Sequence, residues 1–347
     1  MFVRYFRAVL VVVLGLAVTA LPAVGASGAE PSDYEFATPV FGLAATPDGG
    51  LVAADTGSGV IQLRKDSGSP IAELPGVTDV APIGTGGMWA LTTLPDGRLY
   101  FVNRGGKTRP IAEISAFEEA ENPDGGEIDS NPFDLAALGG SSVLVADAAA
   151  NAVLIADRTG HVDWVATLPE EVVSSDHAKE VAGCPNPPAG LEFVCGLPAL
   201  MPAQPVTTSV AVGPDGAYYV SELKGFPAPL GESQVWRIEP GTRHAECGSS
   251  PACEVVADGF TSIVDINFGP DGTLYVVELD ENSWLGLEVD PPQMDGGTIN
   301  ACTWDTFDCT EQATELPIPM AVAITGSNHA FAAIWALVPG EARIIAI

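Results

Sequence analysis

"AVGPDGAYYVSEL", from Ala211 to Leu223, returns almost letter for letter as "NFGPDGTLYVVEL", from Asn267 to Leu279. Pro-Asp-Gly is turn chemistry: proline fixes its own φ, aspartate bonds nearby backbone, and glycine accepts positive φ. Ala217 to Val220, just after it, are the aromatic and β-branched types that favour strands. Thr208 to Val212, just before it, read as a second short strand. One copy is therefore strand, tight turn, strand.

The tripeptide stands at Pro47, Pro95, Pro214 and Pro270. Two copies keep the pattern and lose the letters. "LGGSSVLVAD" (Leu138 to Asp147) aligns with "LPDGRLYFVN" (Leu94 to Asn103), and "TGSNHAFAAI" (Thr325 to Ile334) aligns with the Pro270 copy. More strand-like runs follow, such as "SQVWRIEPG" (Ser233 to Gly241) and "CEVVADGF" (Cys253 to Phe260). Four short strands in a unit of roughly 40–50 residues predict one blade, and six units predict an all-β, six-bladed β-propeller. The long interval between Gly139 and Pro214 holds an insertion at about 169–205. The last repeat has three strands, while "YEFATPVFGLAAT" (Tyr34 to Thr46) resembles "QATELPIPMAVAI" (Gln312 to Ile324). Tyr34 to Thr38 are thus expected to supply the outer strand of the last blade, removing an open sheet edge.

Residues 1–29 read as a signal peptide: Arg4 and Arg7, an apolar run from Ala8 to Leu21, then small residues up to Ala26 and Ala29. Residues 30–347 are expected to form a single domain, a monomer with no membrane span after cleavage, secreted to the extracellular space or periplasm. The six cysteines lie beyond the leader in three close pairs, and the repeat alignment favours Cys184–Cys195, Cys247–Cys253 and Cys302–Cys309 as disulfides. The spacing suits zinc poorly, with no C-x-x-C and no histidine at ligand spacing. The chain carries 45 acidic and 14 basic residues, a net charge of −31. Such a protein repels nucleic acid and anionic membranes. Solubility is the first reading of that charge; Ca2+ at clustered carboxylates and a cationic partner are the others.

"SVAVGPDGAYYVSELKGFPAPLGESQVWRIEPG", "GFTSIVDINFGPDGTLYVVEL" and "NPFDLAALGGSSVLVADAAANAVLIAD" together resemble the ScyD/ScyE family, secreted propeller proteins named for a scytonemin biosynthesis cluster. The stretch "ELKGFPAP" (Glu222 to Pro229) is the most specific part. The resemblance implies a six-bladed propeller. It brings no catalytic residues to carry over.

In a propeller the inner strands line a channel, and loops crowd one face of the ring. Two registers point at that loop face. Eight residues after each turn stand Asp55, Asn103, Asp147, Glu222, Glu278 and Ile334; five residues before it stand Gly42, Ala90, Asp134, Ser209, Asp265 and Ala321. A carboxylate that ends a strand commonly caps the next turn. Asp134, Ser209 and Asp265 fall on three consecutive blades and are expected to converge with Glu222 and Glu278 as a ligand site. Asp134 and Asp265 are the candidates for a hard cation such as Ca2+, or they tie neighbouring blades together. Phe41, Trp89 and Phe133 share a third register, in the core or as an apolar wall at the channel mouth. No Ser-His-Asp constellation is visible. The first functional reading is a binding or scaffold protein taking a small molecule or protein on its loop face. The rival is a divalent-metal-dependent hydrolase resembling gluconolactonases, with the ion at the channel mouth.

Overall fold

The computed structural model describes residues 34–64, 67–84, 86–93 and 97–347. The leader and the Pro95–Asp96 half of the second turn lie outside them. Each blade is an antiparallel meander whose first strand faces the central axis. These inner strands are Val40–Ala45, Val77–Ile83, Pro132–Leu138, Thr207–Val212, Ile263–Phe268 and Ala321–Ile324. Each touches the inner strand of the next blade, and the sixth touches the first, so the ring closes. Six blades in a ring are what the repeats predict.

The strands form because apolar side chains alternate toward the two neighbouring blades. Val210, Val220, Trp236 and Ile238 of blade four pack on Leu144, Ala146, Val153 and Val165 of blade three. Ala211, Tyr219 and Val235, on the opposite face, pack on Ile266, Leu274 and Val276 of blade five. The inner strands are therefore covered on both faces, outer strands such as Cys309–Leu316 stay largely exposed, and the ring is held by apolar layers between blades.

Blades one, two, four and five have four strands. Blade three gains a fifth, Ala245–Glu246, which pairs in parallel with Val162–Thr167. Blade six has three: Ala321–Ile324, Ala330–Ile334 and Arg343–Ala346. Closure by an N-terminal strand is thus a correction, since Tyr34 to Thr38 join no sheet. Blade one already uses this segment's polar groups. Thr38 donates to Asp55, and its hydroxyl accepts the Gly57 N–H at 2.8 Å. Pro39, with no N–H to offer a ladder, accepts the Thr56 N–H at 3.0 Å. The Tyr34 ring lies where a Cβ on Gly68 would stand, only 2.4 Å away. The seam between blades six and one is sealed instead by Val40, Leu43, Ile61 and Leu63 packed with Val322, Ala332 and Ile344.

Blade two holds the second correction. Its inner pair turns at Gly84–Gly86, between Val77–Ile83 and Gly87–Thr92. In sequence the Pro95 tripeptide falls between the second and third strands, Gly87–Thr92 and Arg98–Asn103, and not between the first and second as in the other three copies. Ala90 and Asn103 therefore drop out of the two registers, and Asp79 takes the inner-strand place given to Ala90.

All three disulfides are the local ones expected. The insertion carries a hairpin, Glu171–Ser174 with Leu200–Ala203, and a helix, Asp176–Val181. It lies over the loops of blades four and five. Ala178, Ala182 and Val194 pack with Phe226 and Leu285, and His177 Nε2 lies 3.1 Å from the Asn282 carbonyl. No helix among the described residues is long and apolar enough to cross a membrane.

Candidate functional site

The inner strands of blades one to five each carry a β-bulge, and the residue just after it is Gly42, Asp79, Asp134, Ser209 or Asp265. Bulges re-aim side chains. Here they aim each polar side chain at the next blade. Asp79 accepts the Leu135 N–H at 3.2 Å, and Asp134 accepts the Val210 N–H at 2.8 Å. Ser209 accepts the Ile266 N–H at 3.1 Å, and Asp265 accepts the Val322 N–H at 2.7 Å. Four bonds of one kind run around the channel. Gly42 leaves room for its neighbour, since a Cβ there would sit 2.2 Å from Asp79 Oδ1.

Asp134, Ser209 and Asp265 do come together. The Ser209 hydroxyl donates to Asp134 Oδ2 at 2.5 Å and lies 3.1 Å from Asp265 Oδ1. A hydroxyl has one proton, so with that proton on Asp134 the second contact is a hydrogen bond when Asp265 is protonated. Burial and the nearby Asp134 charge push Asp265 up to about 8. Burial, then Asp134, raise Asp79 well above the usual carboxylate range. Burial also raises Asp134, but the Asp79 carboxyl, Ser209 and the Val210 N–H bond it and pull the other way. Of the three carboxyls, Asp134 receives the most bonds that favour its ionised form. Each of them already serves an interblade bond. No three Asp, Glu, His or Cys side chains among the described residues are placed as a metal centre.

Glu222 and Glu278 belong to other networks. Glu222 is fully buried and paired at 2.7 Å with the equally buried Lys224, whose ammonium also meets Glu171 of the insertion hairpin at 2.5 Å. Burial, against the pull of Lys224, places Glu222 at about 7. Glu278 accepts the Thr261 N–H at 2.5 Å and the Asn300 amide at 2.6 Å. Gly57 and Ser58, in the turn that follows it, bond Asp55; Asp147 accepts the Ala150 N–H of its own turn and the Asn131 N–H just before the inner strand. Within the first register, Asp55 and Asp147 cap the turns that follow them, whereas Glu222 and Glu278 do not.

Toward the loop face the channel is lined by apolar side chains. Phe41 and Phe133, from blades one and three, meet edge to face at 5.8 Å. Leu223, Ala228, Trp284 and Met320 belong to the same apolar cluster. Trp89 is not part of this wall; it lies between blades two and three. What remains of the channel is a cavity of about 270 Å3 on the turn side of the carboxyl chain.

A larger space, about 510 Å3, lies outside the ring's core, between blades four and five. Blade four's outer strand, Cys253–Phe260, forms one wall. Blade five forms the other, with Thr298 and Asn300 on its third strand and Glu311 on its fourth. Glu278 closes the inner end, and Asp258, Glu281 and Asp308 line the rim. Burial, reinforced by Glu281 and Glu311, places Glu278 at about 7. Of the groups singled out in the sequence, only Glu278 and Cys309 reach this groove. Asp79, Glu171 and Lys224 were not foreseen.

Fold and site define a six-bladed β-propeller with a carboxyl-tied channel and a lateral acidic groove. Solved structures similar in fold include a protein of unknown function from Bacteroides thetaiotaomicron, 11% identical, TM-score 0.56, covering 90% of this chain and 70% of that one. A Trichoderma reesei protein of Carbohydrate-Active Enzymes Family AA12 is 12% identical, TM-score 0.55, covering 90% and 94%. Regucalcin, a calcium-binding protein from Agrobacterium tumefaciens, is 11% identical, TM-score 0.53, covering 90% of each. At such identities the likeness is one of fold. No protein-family model matches the chain, and no curated protein does.

Proposed function

We propose that the protein is a secreted binding protein of the ScyD/ScyE kind, taking a small organic cation in the groove between blades four and five. The observation that carries this reading is the groove itself. It has about 510 Å3 of space with Glu278 at its inner end and Asp258, Glu281, Asp308 and Glu311 around it. Its walls offer acceptor oxygens, and it is too wide and too spread in its carboxylates for one bare metal ion. An extended polyamine has the complementary charge and length. The leader sequence and the three disulfides support secretion. The hydrolase reading requires Asp134 and Asp265 to hold an ion, and their oxygens are engaged by Ser209 and by the Val210 and Val322 N–H groups.

Calorimetric titration with spermidine tests the proposal, with uncharged 1,8-octanediol as control. Glu281→Gln with Glu311→Gln is expected to weaken spermidine by about tenfold, as two rim ion pairs of roughly 0.7 kcal/mol each. Affinity is expected to rise as pH passes about 7, because Glu278 is then ionised. No binding of spermidine, or binding indifferent to both substitutions, overturns the proposal.

A further inference from the structure

One wall of the groove carries a polar row across an otherwise apolar sheet face. Glu278, on the second strand of blade five, stands directly opposite Thr298 on the third. Two residues on, Asn300 stands opposite Glu311 on the fourth strand. Side chains two apart on a strand share a face, so all four project toward blade four, and all four line the groove. Leu274 and Val276, on the same face, pack on blade four. Glu278, Thr298 and Asn300 are 6%, 4% and 8% exposed, whereas Glu311 is exposed at the rim.

The three buried members still have acceptor capacity. Glu278 takes the Thr261 N–H on one oxygen and the Asn300 amide on the other, and a carboxylate has room for about four donors. Among the described residues no hydrogen bond reaches the Thr298 hydroxyl or the Asn300 side-chain oxygen, although both side chains line the groove. Buried polar groups need partners. A primary ammonium group brings three N–H donors on one compact head. A trimethylammonium head has the same charge and no donor, so it would leave these acceptors unpaired.

The row also has a length. Glu311 lies two strands outward from Glu278 and two residues along, which puts their Cα atoms about 12 Å apart. The nitrogens of an extended eight-carbon diamine are about 11 Å apart, and those of a four-carbon diamine about 6 Å. We propose that the groove selects long primary diamines and polyamines, seating one terminal ammonium on Glu278, Thr298 and Asn300 and a second at Glu311. This inference rests on the groove being the cation site.

The test is calorimetry at pH 8, above the value of about 7 at which Glu278 loses its proton, where alkylammonium groups stay charged. The probes are 1,8-diaminooctane, 1,4-diaminobutane and 1,8-bis(trimethylammonio)octane, in about 0.15 M salt to screen the acidic surface. The long diamine is expected to bind about threefold tighter than the short one. It is expected to bind about tenfold or more tighter than its methylated analogue. Thr298→Val removes a hydroxyl that bonds nothing in the fold, so the Tm should hold. It should weaken 1,8-diaminooctane by about fivefold and leave the methylated analogue as in the parent. Glu311→Gln should abolish the length preference. Equal binding of the methylated analogue, no preference for length, or diamine binding indifferent to Thr298→Val would each overturn this inference while leaving cation binding in the groove intact. Binding of none of the three probes would overturn both.

Discussion

Asp134 is the hub of the channel. It takes the Ser209 hydroxyl and the Val210 N–H on one oxygen, so Asp134→Ala strands both donors. Loss of about 2–3 kcal/mol is expected, the scale of bonds to a charged acceptor, measured by denaturant unfolding. Asp265→Asn should cost far less at neutral pH. A protonated carboxyl and an amide offer the same acceptor to Val322 and the same donor to Ser209. Neither change should depend on calcium; a calcium-dependent difference at Asp265 would return the channel to candidacy as a metal site. Gly42→Ala should also destabilise, by about 1–3 kcal/mol, because the new Cβ meets Asp79 Oδ1 and the Thr78 carbonyl oxygen, 2.2 and 2.7 Å away.

The inner-strand register was legible at Asp134, Ser209 and Asp265 because each precedes a recognisable strand-one turn. Asp79 was missed because blade two turns at Gly84–Gly86 and places Pro-Asp-Gly one strand later. Turn chemistry marks a turn but not which turn. A better signal was present: Thr78-Asp79-Val80, Phe133-Asp134-Leu135 and Val264-Asp265-Ile266 share a pattern of bulky residue, aspartate, aliphatic residue. Lys224 could not be placed from sequence, since its partner Glu171 sits on the far side of an insertion and only tertiary packing joins them.

Among the elements, the insertion hairpin depends on that lysine. Lys224→Met leaves Glu222 buried with no counter-charge, a change that typically costs about 3–5 kcal/mol, less here as far as Glu222 takes up a proton. Adding Glu222→Gln should recover most of the loss. Urea unfolding of the two single variants and the double variant measures the coupling. Additive effects would mean that the pair is not the clasp. The N-terminal segment makes a similar case. Phe36 is 1% exposed and meets Tyr34 edge to face at 4.9 Å. Phe36→Ala should cost about 3 kcal/mol, although the segment joins no sheet. The resemblance of Tyr34–Thr46 to Gln312–Ile324 was real at the inner strands, Val40–Ala45 and Ala321–Ile324. It did not extend to the outer position, because Pro39 and the bonds of Thr38 commit the chain to blade one.

For the whole molecule, the buried carboxyls set the response to pH. Asp265 and Glu118 are raised to about 8, Glu222 and Glu278 to about 7, and Asp147 to about 6. A carboxyl raised on folding contributes stability that is fully present below its unfolded pKa, about 4, and is lost as pH climbs through the folded value. Repulsion among the carboxylates of a chain of net charge −31 acts in the same direction. The Tm, measured in chelator, should therefore fall between pH 5 and pH 8, by about 5 °C or more. A Tm that rises over this interval would show that these groups are ionised and paired in the fold.

The groove between blades four and five, and not the central channel, is the binding site in this reading, and a crystal structure with saturating spermidine tests that most directly. Extended density is expected along the wall of Cys253–Phe260, with its ammonium groups against Glu278, Glu281 and Glu311. Density in the channel cavity beside Asp134 and Asp265, or none in the groove, would contradict it.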